Sequence, residues 1–323
     1  MRELTVTSRE EGQRLDKYLK KYLSASPASF IYKMLRKKNI KLNGKKASGS
    51  EIISSGDRIS VYLSDDTIRS FQKEETAGPK TGSLVPGFLY EDEDIAVLDK
   101  PPGLLTQSAG KGGSSLADLY PSMLIERGAL TEEDLRAFRP SPMNRLDRNT
   151  SGIVLCSKSM RGARTLADLI RQRELKKEYL AVSEGIPPEG LIRVFGKKDP
   201  ASNLVKTASE PFPGSYEMLT RVRVLHTRQP LSLLGVELIT GRTHQIRSSL
   251  SFLSCPIVGD LKYGDRSGSS DIVSRFGIRR QMLHAASVTF PDDCGECPQL
   301  RGLHVEAPVP EDMVKIVSWV TEV

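Results

Sequence analysis

Apolar residues fall at Leu15, Tyr18, Leu19, Tyr22 and Leu23 with lysines between them, a helical spacing that predicts a helix from about Gly12 to Leu23. Ser26-Pro27 reads as the cap and first residue of a second helix, ASFIYKMLRKK. That helix would bury Phe30, Ile31, Met34 and Leu35 and expose Lys33, Arg36, Lys37 and Lys38. IKLNGKK follows, with Asn43-Gly44 as a hairpin turn and Lys45 just beyond it; GDRISVYL closes the unit as a strand. Residues 67–86, TIRSFQKEETAGPKTGSLVP, are polar and without apolar period, and are read as a flexible linker.

From Phe88 the pattern changes. FLYEDEDIAVLDKPPGLL reads as strand, acidic turn, strand and a proline-glycine turn. LADLYPSMLIERG is helical, and RGARTLADLIRQRELKKEYLAV runs from a helix into a strand. SYEMLTRVRVLHT, LSLLGVELIT and QMLHAASVTF alternate as strands, and HQIRSSLSFL carries Ile246, Leu250 and Leu253 on one side of a helix. Strands outnumber helices and short turns join several of them, so the expected class is α+β with a largely antiparallel sheet. The expected organisation is a small helix-and-hairpin domain over 1–66, a linker over 67–86 and a larger mixed-sheet domain over 87–323.

The tripeptide Arg-Leu-Asp occurs twice, and its two settings differ. Around Asp16 it continues the first helical stripe, where an acid in the first turn suits the helix dipole. After Asp147 comes Asn-Thr-Ser-Gly, a run of turn formers, and then Ile153-Val154-Leu155-Cys156, a short buried strand. Asp147, flanked by Arg145 and Arg148, therefore sits on a loop entering a strand, the kind of place where chemistry collects.

Charge separates the two parts. Residues 1–64 hold 14 Lys and Arg against 6 Asp and Glu, a net +8, whereas the whole chain carries +7. A compact basic unit points to a polyanion, with nucleic acid the usual one. The N-terminus is charged where a signal peptide needs an apolar core, and no apolar run approaches the ~20 residues of a membrane span. Four cysteines are too few for a disulfide scaffold, so a reducing cytoplasm is expected. The acids at 91–94 are read as a solvated turn, since neighbours on a tight hairpin point in different directions. Cys294-Gly-Glu-Cys297 is read as a turn with two free thiols; zinc would need two further ligands, such as Cys255 and His304. No metal is expected.

Two helices and a hairpin, with lysines on the second helix and at the turn, resemble the α-L RNA-binding motif of ribosomal-protein type over residues 12–64. NRLDRNTSG (144–152), KKEYLAV (176–182) and TGRTHQIR (240–247), together with DKPPGL near residue 100, PIVGDLKYG at 256–264 and QMLHA at 281–285, resemble the RluA-type family of RNA pseudouridine synthases. The resemblance spans roughly residues 88–290, and an α-L domain ahead of the catalytic domain fits it. The sequence departs from the usual pattern at Asn144, where His is common, and at Ser248-Ser249, where Val-His is common.

The resemblance implies an isomerase that detaches uracil from its ribose, turns the ring and rejoins it through carbon 5, with no cofactor. Asp147 would be the acid, acting either as a nucleophile or as a base. Arg247 would pair with it, with Arg242 as second choice, and Tyr179 would stack on the uracil. Arg145, Arg148, Thr150 and His244 are candidates for holding a flipped-out nucleotide, His244 equally as a structural side chain. Lys33, Arg36, Lys37, Lys38 and Lys45 would hold RNA from the first domain. Large-subunit ribosomal RNA is the implied target, with transfer RNA as the alternative and a monomer as the expected state. A catalytically silent RNA-binding protein, a hydrolase and a metal nuclease are the competing classes. A typical glycoside hydrolase would need a second carboxylate, and a nuclease would need converging acids or histidines.

Overall fold

The computed structural model describes residues 1–72, 84–108, 115–136, 138–264 and 270–322. The chain opens with β1 (Arg2–Thr5), α1 (Leu15–Tyr22) and α2 (Ala28–Arg36). β2 (Ile40–Leu42), β3 (Lys45–Lys46) and β4 (Arg58–Val61) complete a sheet in the order β1-β4-β2-β3. The helical stripe seen in the sequence is the buried one: Leu15, Leu19 and Leu23 share a core with Ile31, Leu35, Ile40 and Ile59. Each such side chain withdrawn from water contributes roughly 1.5–3 kcal/mol. Asn43 and Gly44 both have positive φ, 50° and 74°, which gives the twist a two-residue hairpin needs.

Two local expectations are corrected. Pro27 stays extended, with ψ at 143°, so α2 begins one residue later than expected, and the buried Ser26 hydroxyl does not cap it. Residues 67–71 are not linker but part of α3 (Asp65–Phe71), where the Ser64 side chain accepts from the Thr67 amide and two acids occupy the first turn. Ile68 is buried, and Phe71 lies against Phe30 with ring centres 4.6 Å apart. A seven-residue helix is too short to display an apolar period. Residues 73–83 of the expected linker lie outside the described residues.

The second part begins with β5 (Gly87–Glu91), β6 (Ile95–Lys100), α4 (Leu116–Glu126), β7 (Ser141–Pro142) and β8 (Ser151–Ser157). It continues through α5 (Met160–Gln172), β9 (Lys176–Glu184), β10 (Gly190–Lys198) and β11 (Val205–Ala208). β12 (Tyr216–Arg228), β13 (Leu231–Leu238), α6 (Gln245–Phe252) and α7 (Ser270–Phe276) follow. β14 (Leu283–Thr289), β15 (His304–Glu306) and α8 (Glu311–Thr321) end the described chain. One sheet runs β11-β10-β12-β13-β9-β14-β8-β6-β5, with β15 beside β14 and β7 beside β8. Among the described residues every strand ladder is antiparallel except β8–β14. The class is α+β with a largely antiparallel sheet, as the pattern predicts. β14 lies between β9 and β8 and joins the two halves.

The acids at 91–94 are a solvated turn only in part: Glu93 is exposed, but the residues leading into α5 pack onto Glu91 and Asp94. Lys158 and Ser159 amides donate to the Asp94 carbonyl. The buried Asp94 carboxylate accepts from Arg161 at 2.6 and 3.0 Å, and Glu91 pairs with Lys158 at 2.7 Å. Among the described residues no cluster of three or more His, Cys, Asp or Glu side chains could hold a metal ion, and Cys156, Cys255, Cys294 and Cys297 are buried free thiols. No described helix is long and apolar enough to cross a membrane. The two parts of the chain meet along a polar seam: Arg9 donates to the Ala129 carbonyl at 2.9 Å, pairs with Asp134 at 3.3 Å and accepts from the Met160 amide at 2.9 Å.

Gly152 opens β8 where it crosses closest to β14. Its φ is 104°, and a Cβ there would lie 2.2 Å from the Ala285 carbonyl oxygen. Gly152→Ala is expected to lower folding stability by about 3 kcal/mol or more, read as an earlier urea midpoint at unchanged slope.

Candidate active site

The loop that carries Asp147 is held at successive backbone positions by groups from other segments. The Thr106 hydroxyl donates to the Leu146 carbonyl at 3.0 Å and accepts from the Leu146 amide at 3.1 Å. The Arg148 carbonyl accepts from the Gly103 amide at 2.8 Å and from Lys100 Nζ at 3.2 Å. The Asn149 carbonyl accepts from Arg280 Nη1 at 3.1 Å. Within the loop, the Thr150 amide donates to the Asp147 carbonyl at 3.0 Å. The Asp147 side chain is thus delivered on a fixed backbone at the entry to β8.

Two of these grips come from buried basic side chains. Lys100 is fully buried, and its ammonium also donates to the Pro101 and Leu104 carbonyls at 2.9 Å. Burial, and then the neighbouring Arg280, push its pKa down to about 7. Arg280 is itself buried and donates to the Asp312 carboxylate through Nε and Nη2 at 2.6 and 2.7 Å, linking the loop to the first turn of α8.

Opposite the loop stands Arg247, in the first turn of α6 and 6% exposed. Its Nη1 donates to Asp147 Oδ2 at 2.8 Å. Its Nε and Nη2 donate to the two oxygens of Asp260 at 2.6 and 2.7 Å. Asp260 is equally buried, and its Oδ1 also accepts from the Lys262 and Tyr263 amides. One guanidinium therefore bridges two carboxylates, one structural and one facing the pocket. Against desolvation, the hydrogen bond and charge of Asp260 first, and then Asp147, raise the Arg247 pKa, so it stays a cation.

The turn before α6 is built around Gln245. Its Oε1 accepts from the Thr240 hydroxyl and the Arg242 amide, and its Nε2 donates to the Leu219 carbonyl and the Thr220 hydroxyl. This explains Thr-Gly-Arg-Thr-His-Gln as a string: the glutamine side chain replaces a backbone ladder and aims the helix start at Asp147. His244 sits at the cap with φ 51°, its Nδ1 2.9 Å from the Tyr263 hydroxyl and its Nε2 3.9 Å from Asp147. Burial lowers its pKa from 6.5, so the ring is neutral at pH 7.

Tyr179, on β9, is 7% exposed and forms a wall of the same small pocket as Asp147, Thr150, His244 and Arg247, about 60 Å³ in volume. Burial, with the charge of Asp147 behind it, raises the phenol's pKa, so it is protonated and able to donate. The pocket opens into a cleft of about 780 Å³ whose lining includes Arg145, Arg148, Lys198, Arg242, Lys262 and Arg279.

The sequence-predicted residues divide. Asp147, Tyr179, Arg242, His244 and Arg247 converge on the pocket, and Arg145 and Arg148 are exposed along the cleft. Thr150 lines the pocket but is buried, its hydroxyl accepting from Gln281 Nε2 at 3.2 Å. Lys33, Arg36, Lys37, Lys38 and Lys45 are exposed on the N-terminal unit and do not line this site. Asn144 accepts from the Leu155 amide at 2.7 Å, a tie to β8, and Ser248 and Ser249 are buried within α6. Sequence reasoning missed Asp260, Lys100, Arg280, Gln245 and Tyr263. The signal for Asp260 was its turn, Gly-Asp-Leu-Lys-Tyr-Gly, in which an acid follows a glycine at φ 76°.

With the geometry in place, comparisons with known proteins add the following. Residues 94–252 match the family described as RNA pseudouridylate synthase, and residues 13–59 match the S4 domain. The chain is 31% identical to ribosomal large subunit pseudouridine synthase C of Escherichia coli K12, over 98% of this chain and 95% of that protein. It is 32% identical to the enzyme of the same name from Buchnera aphidicola, over 89% and 88%. Among solved structures, human RNA pseudouridylate synthase domain containing 4 matches with a TM-score of 0.58 at 23% identity, over 72% of this chain and 92% of that one; this likeness is one of fold.

Asp260→Asn removes the charge that compensates buried Arg247, and is expected to cost about 3 kcal/mol of stability in urea unfolding. Lys100 has a sign that can be checked. Its folded pKa, about 7, lies below its ordinary 10.5, so between those values the unfolded chain holds the extra proton and stability rises with pH. Lys100→Met is expected to flatten the rise in melting temperature between pH 7 and pH 10.

Proposed function

This chain belongs to the RNA pseudouridylate synthase family, and on that premise we propose that it converts uridines of large-subunit ribosomal RNA to pseudouridine, with Asp147 acting at the glycosidic bond. The observation that carries the reading is the pairing of Asp147 with an arginine clamped from behind by Asp260, beside buried Tyr179, at the bottom of a cation-lined cleft. The names of the bacterial relatives support the ribosomal target.

The reaction breaks the bond from ribose C1′ to N1 of uracil and forms one from C1′ to C5. N1 ends with a proton, and C5 loses its hydrogen to solvent. Nothing is oxidised or hydrolysed. The chemistry needs one carboxylate at the sugar, either to bond C1′ while the base turns or to take the C2′ proton, and Asp147 serves in either role. Arg247 fixes one carboxylate oxygen, at 2.8 Å from Oδ2, and leaves Oδ1 toward His244 at 3.9 Å. Tyr179 offers a flat apolar face to the uracil and a protonated hydroxyl to its edge. Because a stacked base is out of reach, the uridine enters flipped, and Arg145, Arg148 and Arg242 hold the phosphates around it. The exposed Lys33, Arg36, Lys37, Lys38 and Lys45 of the N-terminal unit bind RNA beyond the cleft. The protein works as a monomer.

The test is tritium release from uridine labelled at C5, in unmodified large-subunit ribosomal RNA and in a pool of transfer RNA. Wild type is expected to release tritium from the ribosomal RNA without free uracil, and Asp147→Asn to be slower by roughly a thousandfold. Release from transfer RNA alone would move the target, free uracil would make the protein a hydrolase, and no release from either would overturn the reading.

A further inference from the structure

Leu261 is 74% exposed, the highest value for a large apolar side chain among the described residues. A single exposed leucine is ordinary on a protein surface, but the setting of this one is not. It lines the cleft that contains Asp147, beside Arg145, Lys198, Arg242, Lys262 and Arg279. Its backbone is fastened on both sides. The Lys262 and Tyr263 amides donate to Asp260 Oδ1 at 3.0 and 3.2 Å, and the Gly264 amide donates to the Asp260 carbonyl at 2.8 Å. The Tyr263 hydroxyl accepts from the Val205 amide and meets His244. The carboxylate that holds this turn is the one that clamps Arg247. An apolar side chain is thus presented to solvent at a set position relative to the reacting carboxylate.

The charge of the walls selects what can cover it. Asp147 is the one carboxylate among the described residues lining the cleft, against many cations. A polyanion fits, and the apolar surfaces of a nucleic acid are the faces of its bases. We propose that Leu261 is a wedge: it packs on the base next to the target uridine and takes up stacking surface lost when that uridine turns into the pocket. The inference rests on the pseudouridine synthase reading and adds a residue that opens the RNA. The phosphates are bound by the surrounding cations, so the leucine acts after binding, on the flipping step.

The test compares wild type, Leu261→Ala and Leu261→Met on unmodified large-subunit ribosomal RNA labelled at C5 of uridine. Single-turnover tritium release at saturating enzyme is measured alongside Kd by filter binding. The expected result is about a tenfold slower release for Leu261→Ala, a rate within about twofold of wild type for Leu261→Met, and Kd and melting temperature unchanged in both. A Leu261→Ala rate equal to wild type, or a loss confined to Kd, overturns the wedge alone. No release by wild type overturns the isomerase reading and the wedge with it.

Discussion

A guanidinium shared by two carboxylates organises this site. Arg247 is buried, and withdrawing its charge from water costs several kcal/mol unless hydrogen bonds and an opposite charge replace the solvent. Asp260 supplies both, through two short bonds, and so frees the third edge of the guanidinium for Asp147. Without Asp260 the arginine would be held by Asp147 alone, and one carboxylate would have to serve both the guanidinium and the pocket. The division of labour also sets geometry. Asp260 is fixed by two amides of its own turn, Arg247 lies in the first turn of α6, and Gln245 aims that turn.

The second constraint is the treatment of the Asp147 loop. A loop crossing a buried region leaves carbonyls that need partners. Here Lys100 and Thr106, from one stretch, and Arg280, from another, provide them. Of the three, Arg280 is a cation throughout the ordinary pH range, and Lys100 is one only below its pKa of about 7, so the grip on the backbone also brings positive charge near Asp147. Arg280 carries this support outward to Asp312 at the start of α8.

Much of this was legible in the sequence where local composition is decisive. The two settings of Arg-Leu-Asp could be told apart because one continues a helical stripe and the other enters turn formers and an apolar strand. The Asn43-Gly44 hairpin followed from backbone preference alone. Asp147, Tyr179 and Arg247 lie on short distinctive strings, and the fold brings them together. What stayed hidden depends on pairing across distance. A lysine is a surface residue by default, so nothing near Lys100 marked it as fully buried under a loop 48 positions away. Glu91 and Asp94 looked solvated because their partners are distant in sequence: Lys158 just before α5 and Arg161 in its first turn. The partner of Thr150, Gln281, is 131 positions distant and was equally invisible. α3 was missed for a different reason: one buried isoleucine and one aromatic contact are too little pattern to see.

The placement of β14 has a consequence for how the molecule comes into being. It is made after every other strand of this sheet except β15, yet it lies in the interior, between β9 and β8. Until residues 283–289 have been synthesised, β9 carries an unpaired edge, the start of β8 lacks its partner, and the halves bearing Tyr179 and Asp147 have no shared ladder. Arg280 and Gln281, which fasten the Asp147 loop, arrive in the same late segment. A growing chain therefore lacks the joined pocket until residue 289 has been added, and until then its exposed strand edges are the part of the nascent protein most in need of shielding.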